Sequence, residues 1–138
     1  MNPDQTDTQQ LRQSIIDACL SMNQLGLNQG TSGNISARCA DRMLITPSGI
    51  AYEVLTPDML LSLPLTGGLD DPFGSESPAA LRPSSEWRFH KALLQNHDEM
   101  AFVVHAHPAY ATALAMIRKP IPACHYMIAA FGGDSLRV

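Results

Sequence analysis

Two histidines separated by one residue, His105 and His107, end an apolar stretch and are the first candidates for chemistry in this sequence. Successive side chains of a β-strand alternate between its faces, so both imidazoles would project from one side and could hold one metal ion. Pro108 ends the predicted strand and can begin the following helix, at a strand-to-helix corner. A hydrogen-bonded pair in the core or on the surface is the alternative for so short a motif.

Three polar turns combine small or rigid residues with hydroxyl and amide side chains. They are Thr31-Ser32-Gly33-Asn34, Thr46-Pro47-Ser48-Gly49 and Ser84-Ser85. Small residues let backbone N–H groups approach an anion, and a helix that begins near Ser85 directs its positive end toward it. Together the turns predict a phosphate site. Each turn alone is equally explained as an ordinary turn or helix cap.

Glu86 and Tyr126 are the candidates for proton transfer. Glu86 follows the serine pair at a predicted helix start, where it could complete a metal site with the two histidines or act as a base. The alternative is an acid that only stabilises the helix dipole. The phenol of Tyr126 is a weak acid suited to an alkoxide, or else a half-buried structural side chain. Three histidines without comparable partners are interpreted as structural or exposed: His90, His97 and His125.

Hydrophobic spacing predicts the elements that position these residues. Apolar residues at steps of three and four predict an amphipathic helix from Leu11 to a stop at Gly26. Residues 35–39 alternate as in a half-buried strand, and residues 43–45 form its hairpin partner. The apolar run 59–63 predicts a third strand, residues 84–96 a second helix, and residues 126–131 a further apolar element. Glycine, aspartate, proline and serine dominate residues 66–82, which predicts a surface loop.

Composition restricts the class of protein. With 138 residues, 45% hydrophobic and 16% charged, the chain can bury one core, which we place at residues 11–138 after a flexible polar terminus at residues 1–10. A net charge of -4 provides no basic surface for nucleic acid, so a small partner is expected. The sequence has neither a signal peptide nor a membrane span, which predicts a cytoplasmic protein. The odd cysteine count predicts reduced, mostly buried thiols: Cys19, Cys39 and Cys124.

Five segments, in this order and approximate spacing, resemble the class II aldolase and adducin head family. They are GTSGNIS at residues 30–36, LITPSGI at 44–50, PSSEWRFH at 83–90, VVHAHP at 103–108 and PIPACHYMIAAFGGDS at 120–135. The resemblance covers nearly the whole chain from Leu11. It implies an α/β fold, a three-layer α/β/α domain with a central, mainly antiparallel sheet.

The resemblance also implies a role for each matching position. His105 and His107 match two zinc ligands, and Glu86 matches a glutamate that touches the metal and serves as acid and base. Tyr126 matches a tyrosine that reaches into the site of a neighbouring subunit, in a family that typically forms cyclic homotetramers. Six positions match residues that bind the substrate, chiefly its phosphate: Gly33, Asn34, Ser48, Gly49, Ser84 and Ser85.

The implied activity is that of a zinc-dependent aldehyde-lyase of carbohydrate and pentose catabolism. It would cleave a ketose 1-phosphate, of the L-fuculose 1-phosphate type, into dihydroxyacetone phosphate and an aldehyde. Zinc would serve as the electrophile, so that no Schiff-base lysine is needed. The alternatives are a pentulose-phosphate 4-epimerase or a thioribulose-phosphate dehydratase on the same scaffold, and a metal-free, non-catalytic adducin-like interaction module.

Two features of the sequence weigh on these alternatives. Glu86, where an aspartate would favour another chemistry, and the HYMIAA stretch at residues 125–130 favour the aldolase. The family normally supplies a third zinc histidine downstream of the GGDS-like segment, and the sequence stops at Val138 before it. We therefore expect an N-terminal portion of a family member, with weaker and more solvent-open zinc binding. The absent ligand favours the interaction module.

Overall fold

The computed structural model describes residues 6–73 and 81–137. The chain divides into two compact units, Met1–Ala106 and His107–Val138. Parts of the predicted flexible terminus and of the predicted loop at residues 66–82 lie outside the described residues. The first unit contains the sheet and most of the predicted site residues.

Four antiparallel strands form the centre of the first unit. They are β1 (Asn34–Cys39), β2 (Arg42–Ile45), β3 (Leu61–Pro64) and β4 (Phe102–His105), in the spatial order β3-β2-β1-β4. The predicted hairpin of β1 and β2 is confirmed, with Ser36 opposite Ile45. On its other edge β1 pairs with β4, and Asn34 lies opposite His105. This register places the first residue of β1 beside the last residue of β4 on one face of the sheet.

A long helix covers one face of this sheet. Helix α1 (Gln9–Gln24) begins after Thr8, whose hydroxyl accepts a hydrogen bond of 3.1 Å from the N–H of Leu11. That contact satisfies one of the unpaired donors at the helix start. The helix buries its apolar side against residues of β1, among them Ile35 and Ala37. The predicted stop is confirmed, because Gly26 adopts a φ of 69° just beyond the helix.

A second helix, α2 (Trp87–Asn96), covers the opposite face. Trp87 and Leu94 pack there against Met43 and Val103 of the sheet. The three-layer α/β/α arrangement with an antiparallel sheet is therefore confirmed. The prediction that β1 is half-buried is wrong, because helices cover both faces of this central strand and Ser36 is as inaccessible as its apolar neighbours.

Several element boundaries differ from the predictions, and three of them bear on the site. Helix α1 also begins at Gln9, inside the predicted flexible terminus, rather than at Leu11. The second helix begins at Trp87 rather than at the serines, and the N–H of Trp87 donates to the Ser84 carbonyl at 3.0 Å. The third strand starts only at Leu61, because Pro57–Met59 forms a 3-10 helix. The last strand ends at His105, because its partner β1 begins at the paired residue Asn34. The strand alternation predicted to align His105 with His107 therefore does not extend to His107.

The second unit contains helix α3 (Ala109–Met116), which begins directly after Pro108, and a 3-10 helix at Tyr126–Phe131. The predicted element at residues 126–131 is thus confirmed, and it ends at Gly132 with a φ of 81°. All three cysteines are free thiols; Cys19 and Cys39 are buried as expected, whereas Cys124 is exposed. No helix in the described part of the chain is long and apolar enough to cross a membrane.

Candidate functional site

Three polar side chains of the first unit converge beside the start of α2. The amide Nδ2 of Asn34 donates a hydrogen bond of 2.7 Å to Oε2 of Glu86. Nε2 of His105 lies 3.2 Å from the same carboxylate oxygen. Glu86 occupies the cap position of α2, yet its side chain makes no capping hydrogen bond. The carboxylate therefore faces the sheet residues, which argues against the alternative of an acid that only stabilises the helix dipole.

Burial within this cluster is graded. Asn34 is 7% exposed, whereas the side chains of His105 and Glu86 are 25% and 37% exposed. Solvent and small molecules can therefore reach the imidazole and the carboxylate, while the amide forms the wall behind them. Oδ1 of Asn34 is buried and has no hydrogen-bond partner among the residues that the structure describes. The amide is thus committed through Nδ2 to orienting the carboxylate, a role that the sequence prediction did not include.

Gly33 sits where no larger residue fits. A Cβ atom at this position would lie 1.8 Å from Nδ2 of Asn28 and 2.8 Å from the backbone carbonyl oxygen of His105. The Gly33 carbonyl also accepts a hydrogen bond from the hydroxyl of Tyr52, a buried phenol whose pKa is raised by desolvation. The predicted glycine-bearing turn is therefore packed directly against the strand end that carries His105.

Thr46 connects the three polar turns that predicted a phosphate site. The N–H of Ile35 donates to its hydroxyl at 3.3 Å, and its own N–H donates to the Ile35 carbonyl at 3.2 Å. Its carbonyl accepts the N–H of Ser84 at 3.0 Å. The turn at residues 46–49 is thereby joined both to the start of β1 and to the serine pair. Thr46 was predicted only as a member of its turn, and its burial, at 1% exposed, fits this connecting role.

The serines and glycines of these turns differ in accessibility. Ser84 is buried, and its hydroxyl accepts the N–H of Glu86 at 3.3 Å. Ser85, Ser48 and Gly49 are exposed. Gly49 adopts a φ of 71°, in the left-handed region that favours glycine. The accessible donors of the cluster therefore come from residues 48, 49 and 85, while Ser84 shapes the turn that carries Glu86.

His90 is a buried residue that sequence analysis interpreted only as structural or exposed. Its Nδ1 is hydrogen-bonded to the Ser36 hydroxyl at 2.7 Å, and both residues are 0% exposed. Burial lowers the pKa of His90 to about 4. Spacing places Ser36 on the face of β1 that carries Asn34 and His90 on the face of α2 that carries Glu86, but it does not reveal that these two faces meet.

The remaining predicted site residues belong to the second unit. His107 is exposed and lies between the last strand and α3. Tyr126 is 80% exposed, and its ring centroid lies 4.4 Å from that of His125. It lines an open cavity of about 450 Å³ with His125 and Asp134. The proposed roles of His107 and Tyr126 remain predictions.

The donor atoms of the first unit suit a metal ion. Zinc bonds of about 2.1 Å to nitrogen and oxygen at a tetrahedral angle place two ligand atoms about 3.4 Å apart. Nε2 of His105 and Oε2 of Glu86 lie 3.2 Å apart, so the pair fits two positions around one ion. Across residues 6–73 and 81–137, no group of three or more histidine, cysteine or acidic side chains is arranged to hold a metal.

The sequence of this chain and its helix-covered antiparallel sheet match a known family. The profile of the class II aldolase and adducin N-terminal domain family matches residues 13–138, and the chain belongs to this family. It is 49% identical over 126 residues to L-fuculose phosphate aldolase of Escherichia coli O6:H1, across 91% of this chain and 55% of that protein. The family resemblance inferred from the five motifs is therefore confirmed.

Two further proteins are similar over the same region. A 5-methylthioribulose-1-phosphate/5-deoxyribulose-1-phosphate aldolase of Rhodospirillum rubrum is 41% identical over 128 residues, which are 93% of this chain and 54% of that protein. A solved structure of L-fuculose 1-phosphate aldolase superposes with a TM-score of 0.79 at 32% identity, covering 94% of this chain and 58% of that chain. The chain thus spans about half the length of the curated relatives it matches.

Proposed function

We propose that this chain belongs to a metal-dependent aldehyde-lyase that cleaves a ketose 1-phosphate into dihydroxyacetone phosphate and an aldehyde. The observation that carries the proposal is the Glu86 carboxylate, held at 2.7 Å by Asn34 and 3.2 Å from His105, in a member of the class II aldolase family. The 49% identity to a protein named L-fuculose phosphate aldolase supports L-fuculose 1-phosphate as the first substrate to test.

Glu86 is suited to the proton transfer in this reaction. In the cleavage direction the carbon–carbon bond breaks, its electron pair stays on the carbon next to the ketone, and that carbon then takes up a proton. A carboxyl group at the rim of the site can deliver this proton as the acid and, as the carboxylate that remains, recover it in the reverse reaction. Hydrogen bonding to Asn34 restricts the rotation of the Glu86 side chain, which keeps its carboxyl group directed at the site.

Other residues would complete the proton balance and hold the metal. In the bond-forming direction the aldehyde oxygen gains a proton as it becomes a hydroxyl, and on the family resemblance we assign the donation of that proton to the Tyr126 phenol; cleavage returns the proton to the same oxygen of Tyr126. Glu86 and His105 would hold zinc, and His107 is a further ligand on the resemblance. When bound, zinc supplies positive charge beside the oxygens on which negative charge develops, so no Schiff-base lysine is required.

The substrate phosphate would bind at the turns joined by Thr46. Ser48, Gly49 and Ser85 offer exposed donors, and Gly33, Asn34 and Ser84 shape the same region. The start of α2 adds the positive end of a helix dipole. Ser85→Ala should therefore raise KM for the phosphorylated substrate, and an unchanged KM would contradict the phosphate assignment. Ser135→Ala, at an exposed serine of the second unit, is the matched control.

The assembly would be a cytoplasmic homotetramer in which Tyr126 serves a neighbouring site. Support comes from the exposed aromatic side chains of the second unit, where Tyr110, Tyr126 and Phe131 are 90%, 80% and 69% exposed. Exposed aromatic side chains are enriched at protein–protein interfaces. The proposed partner in catalysis is a small sugar phosphate, with no role for nucleic acid or membrane.

A second substrate has specific support. The Rhodospirillum rubrum relative is named for 5-methylthioribulose 1-phosphate and 5-deoxyribulose 1-phosphate. All three candidate substrates share the ketose 1-phosphate end and differ in the aldehyde that is released. The assay should therefore follow dihydroxyacetone phosphate, the common product, with each substrate in parallel. The substrate with the highest kcat/KM identifies the preferred aldehyde.

Glu86→Gln tests the proposal most directly. The variant removes the titratable group, so cleavage should be abolished while the zinc content stays largely that of the wild-type chain, because the imidazoles of His105 and His107 are retained. Glu53→Gln, at an exposed glutamate of a 3-10 helix, should keep full activity. Unchanged turnover in Glu86→Gln would eliminate Glu86 as the base. A chain that retains no zinc and cleaves no substrate would favour the metal-free interaction module.

A further inference from the structure

Two side-chain hydrogen bonds of equal length join β1 to α2. Asn34 bonds to Glu86 at 2.7 Å, and Ser36 bonds to His90 at 2.7 Å. On β1 the two residues are two apart and share a face. On α2 their partners are four apart, one helical turn along the same face. The two bonds therefore lie one above the other, the partly buried Asn34–Glu86 bond at the candidate site and the fully buried Ser36–His90 bond next to it.

The hydrogen bond between Ser36 and His90 is fully buried. Ser36 and His90 are both 0% exposed, and Nε2 of His90 has no hydrogen-bond partner within the described residues. A buried polar atom without a partner lowers stability, whereas an apolar side chain would pack at that position without this cost. Packing alone therefore does not explain why Ser36 and His90 occupy these buried positions. What it supplies is a directional contact between one strand position and one helix position.

The Ser36–His90 pair is connected to Glu86 through the backbone of α2. The backbone N–H of His90 donates to the Glu86 carbonyl at 3.2 Å, so one helical hydrogen bond connects the two residues in the first turn of α2. The ring of Phe89 lies edge to face with both imidazoles, at centroid distances of 5.5 Å to His90 and 6.3 Å to His105. A shift of His90 relative to β1 would displace the carboxylate from Asn34 and His105.

We propose that Ser36 and His90 are positioning residues of the candidate site, whose hydrogen bond fixes the first turn of α2 against β1 and holds the Glu86 carboxylate on Asn34 and His105. Neither residue needs to touch substrate or metal for this role. The placement of Glu86 is independent of the proposed function, and only its catalytic consequence rests on that function.

The placement can be tested on the metal-free chain by NMR. The Asn34 side-chain amide protons report the bond to Glu86, and Glu86→Ala defines their positions when the bond is lost. Ser36→Ala and His90→Leu should each move these signals at least half of the way to the Glu86→Ala positions. His90→Asn should leave them near the wild-type positions, because the Asn side chain can reproduce the bond made by Nδ1.

Leu94→Ala is the matched structural control. Leu94 is buried on the same face of α2, one turn beyond His90, so its truncation should lower Tm without moving the Asn34 signals. Asn34 signals that stay at the wild-type positions in Ser36→Ala and His90→Leu, while Tm falls, would overturn the proposal. If those variants do not fold, His90→Gln replaces them. The amide of glutamine reaches the position of Nε2 and not that of Nδ1, so it cannot bond to Ser36, and the Asn34 signals should move toward the Glu86→Ala positions.

Activity measurements separate this proposal from the proposed function. If the wild-type chain cleaves ketose 1-phosphates, Ser36→Ala should lower kcat by about tenfold to a hundredfold, with KM changed less than about twofold. His90→Asn should recover most of that loss. If the wild-type chain shows no lyase activity, the proposed function fails, and the NMR comparison still decides whether Ser36 and His90 position Glu86.

Discussion

Asn34 and Glu86, which lie 52 residues apart in the sequence, are joined by a hydrogen bond of 2.7 Å from an amide to a carboxylate. The first residue of β1 thereby holds the residue that precedes α2. The Nδ2 of this asparagine, which is also predicted to bind substrate, is directed at the proposed acid and base. This bond orders a side chain that would otherwise rotate in solvent, at the point where the proposed reaction needs a fixed carboxyl group.

Asn34→Leu should weaken the site more than the fold. It removes the amide donor at nearly constant volume, and hydrogen bonds to charged groups contribute about 1.5–3 kcal/mol when buried. Because the Glu86 side chain is 37% exposed, we expect a loss of only about 1 kcal/mol in the free energy of unfolding. Urea denaturation measures this loss, and kcat should fall more than KM rises.

Asn96→Ala provides the control for that substitution. Its exposed amide donates to a carbonyl one turn earlier in α2, at 2.8 Å, and lies outside the proposed site. Both the free energy of unfolding and kcat should stay within experimental error of the wild type. An Asn34→Leu protein with full kcat would show that the Glu86 carboxylate does not depend on this amide.

Gly33→Ala should destabilise the fold through steric overlap. The added methyl would lie 1.8 Å from Nδ2 of Asn28 and 2.8 Å from the carbonyl oxygen of His105, and the latter belongs to the backbone. Overpacking of this kind costs about 1–3 kcal/mol. Gly68→Ala is the matched control, since its nearest atom is Oδ2 of Asp70 at 3.9 Å.

The double variant Asn28→Ala/Gly33→Ala separates the loss of stability caused by overlap with the Asn28 side chain from that caused by overlap with the His105 backbone. Removal of the Asn28 amide relieves the contact with a side chain and leaves the contact with the His105 backbone. Urea denaturation should therefore show partial recovery of stability relative to Gly33→Ala. Full stability in the single Gly33→Ala variant would contradict the close approach of this turn to the end of β4.

The buried His90 should make stability depend on pH. Desolvation lowers the pKa of His90 from its ordinary 6.5 to about 4; Glu86 opposes this shift and His105 adds to it. Between those values the unfolded chain binds a proton that the folded chain does not, so stability is complete above pH 6.5 and falls as pH decreases toward 4. The full change is about 3 kcal/mol for one histidine.

Comparison with His90→Asn isolates this contribution, because the other four histidines are common to both proteins. Urea denaturation at a series of pH values should give a shallower dependence for the variant between pH 6.5 and pH 4. Parallel curves for the two proteins would mean that His90 does not become protonated on unfolding in this range, and would contradict its burial in the neutral form.

The sequence predicted the elements whose signals are local. Apolar spacing located α1, the β1–β2 hairpin and the 3-10 helix at Tyr126–Phe131, and Gly26 marked a helix end. The end of β4 was predicted wrongly, because Pro108 marks a stop without locating it. The strand stops at His105, where its neighbour β1 has no further residue to pair. Strand ends depend on the partner, which periodicity does not reveal.

The contacts of the candidate site depend on packing between distant segments. The family resemblance pointed to Glu86 and His105, and the structure brings these two together. The roles of Asn34 toward Glu86 and of Ser36 toward His90 could not be predicted, because both bonds require the seating of α2 on the sheet across more than fifty residues. Ser36 alternates with apolar residues in β1, which predicted that its face is exposed to solvent. That face is buried because α2 covers it.

Arg38 should contribute to stability by holding the end of α2 on β1. Its guanidinium donates to the carbonyls of Met100 at 3.0 Å and His97 at 3.1 Å, and also to that of Leu94. These acceptors lie at and beyond the helix C-terminus, where carbonyls lack partners and the dipole favours positive charge. Arg38→Met should lower the free energy of unfolding by about 2 kcal/mol. Arg38→Lys should recover less than half of the loss, because one ammonium group cannot match the geometry of three carbonyls.

Arg82→Met, at an exposed arginine, is the control for Arg38→Met and should change the free energy of unfolding by less than about 0.5 kcal/mol. An equally small effect of Arg38→Met would show that α2 is held by its apolar face alone.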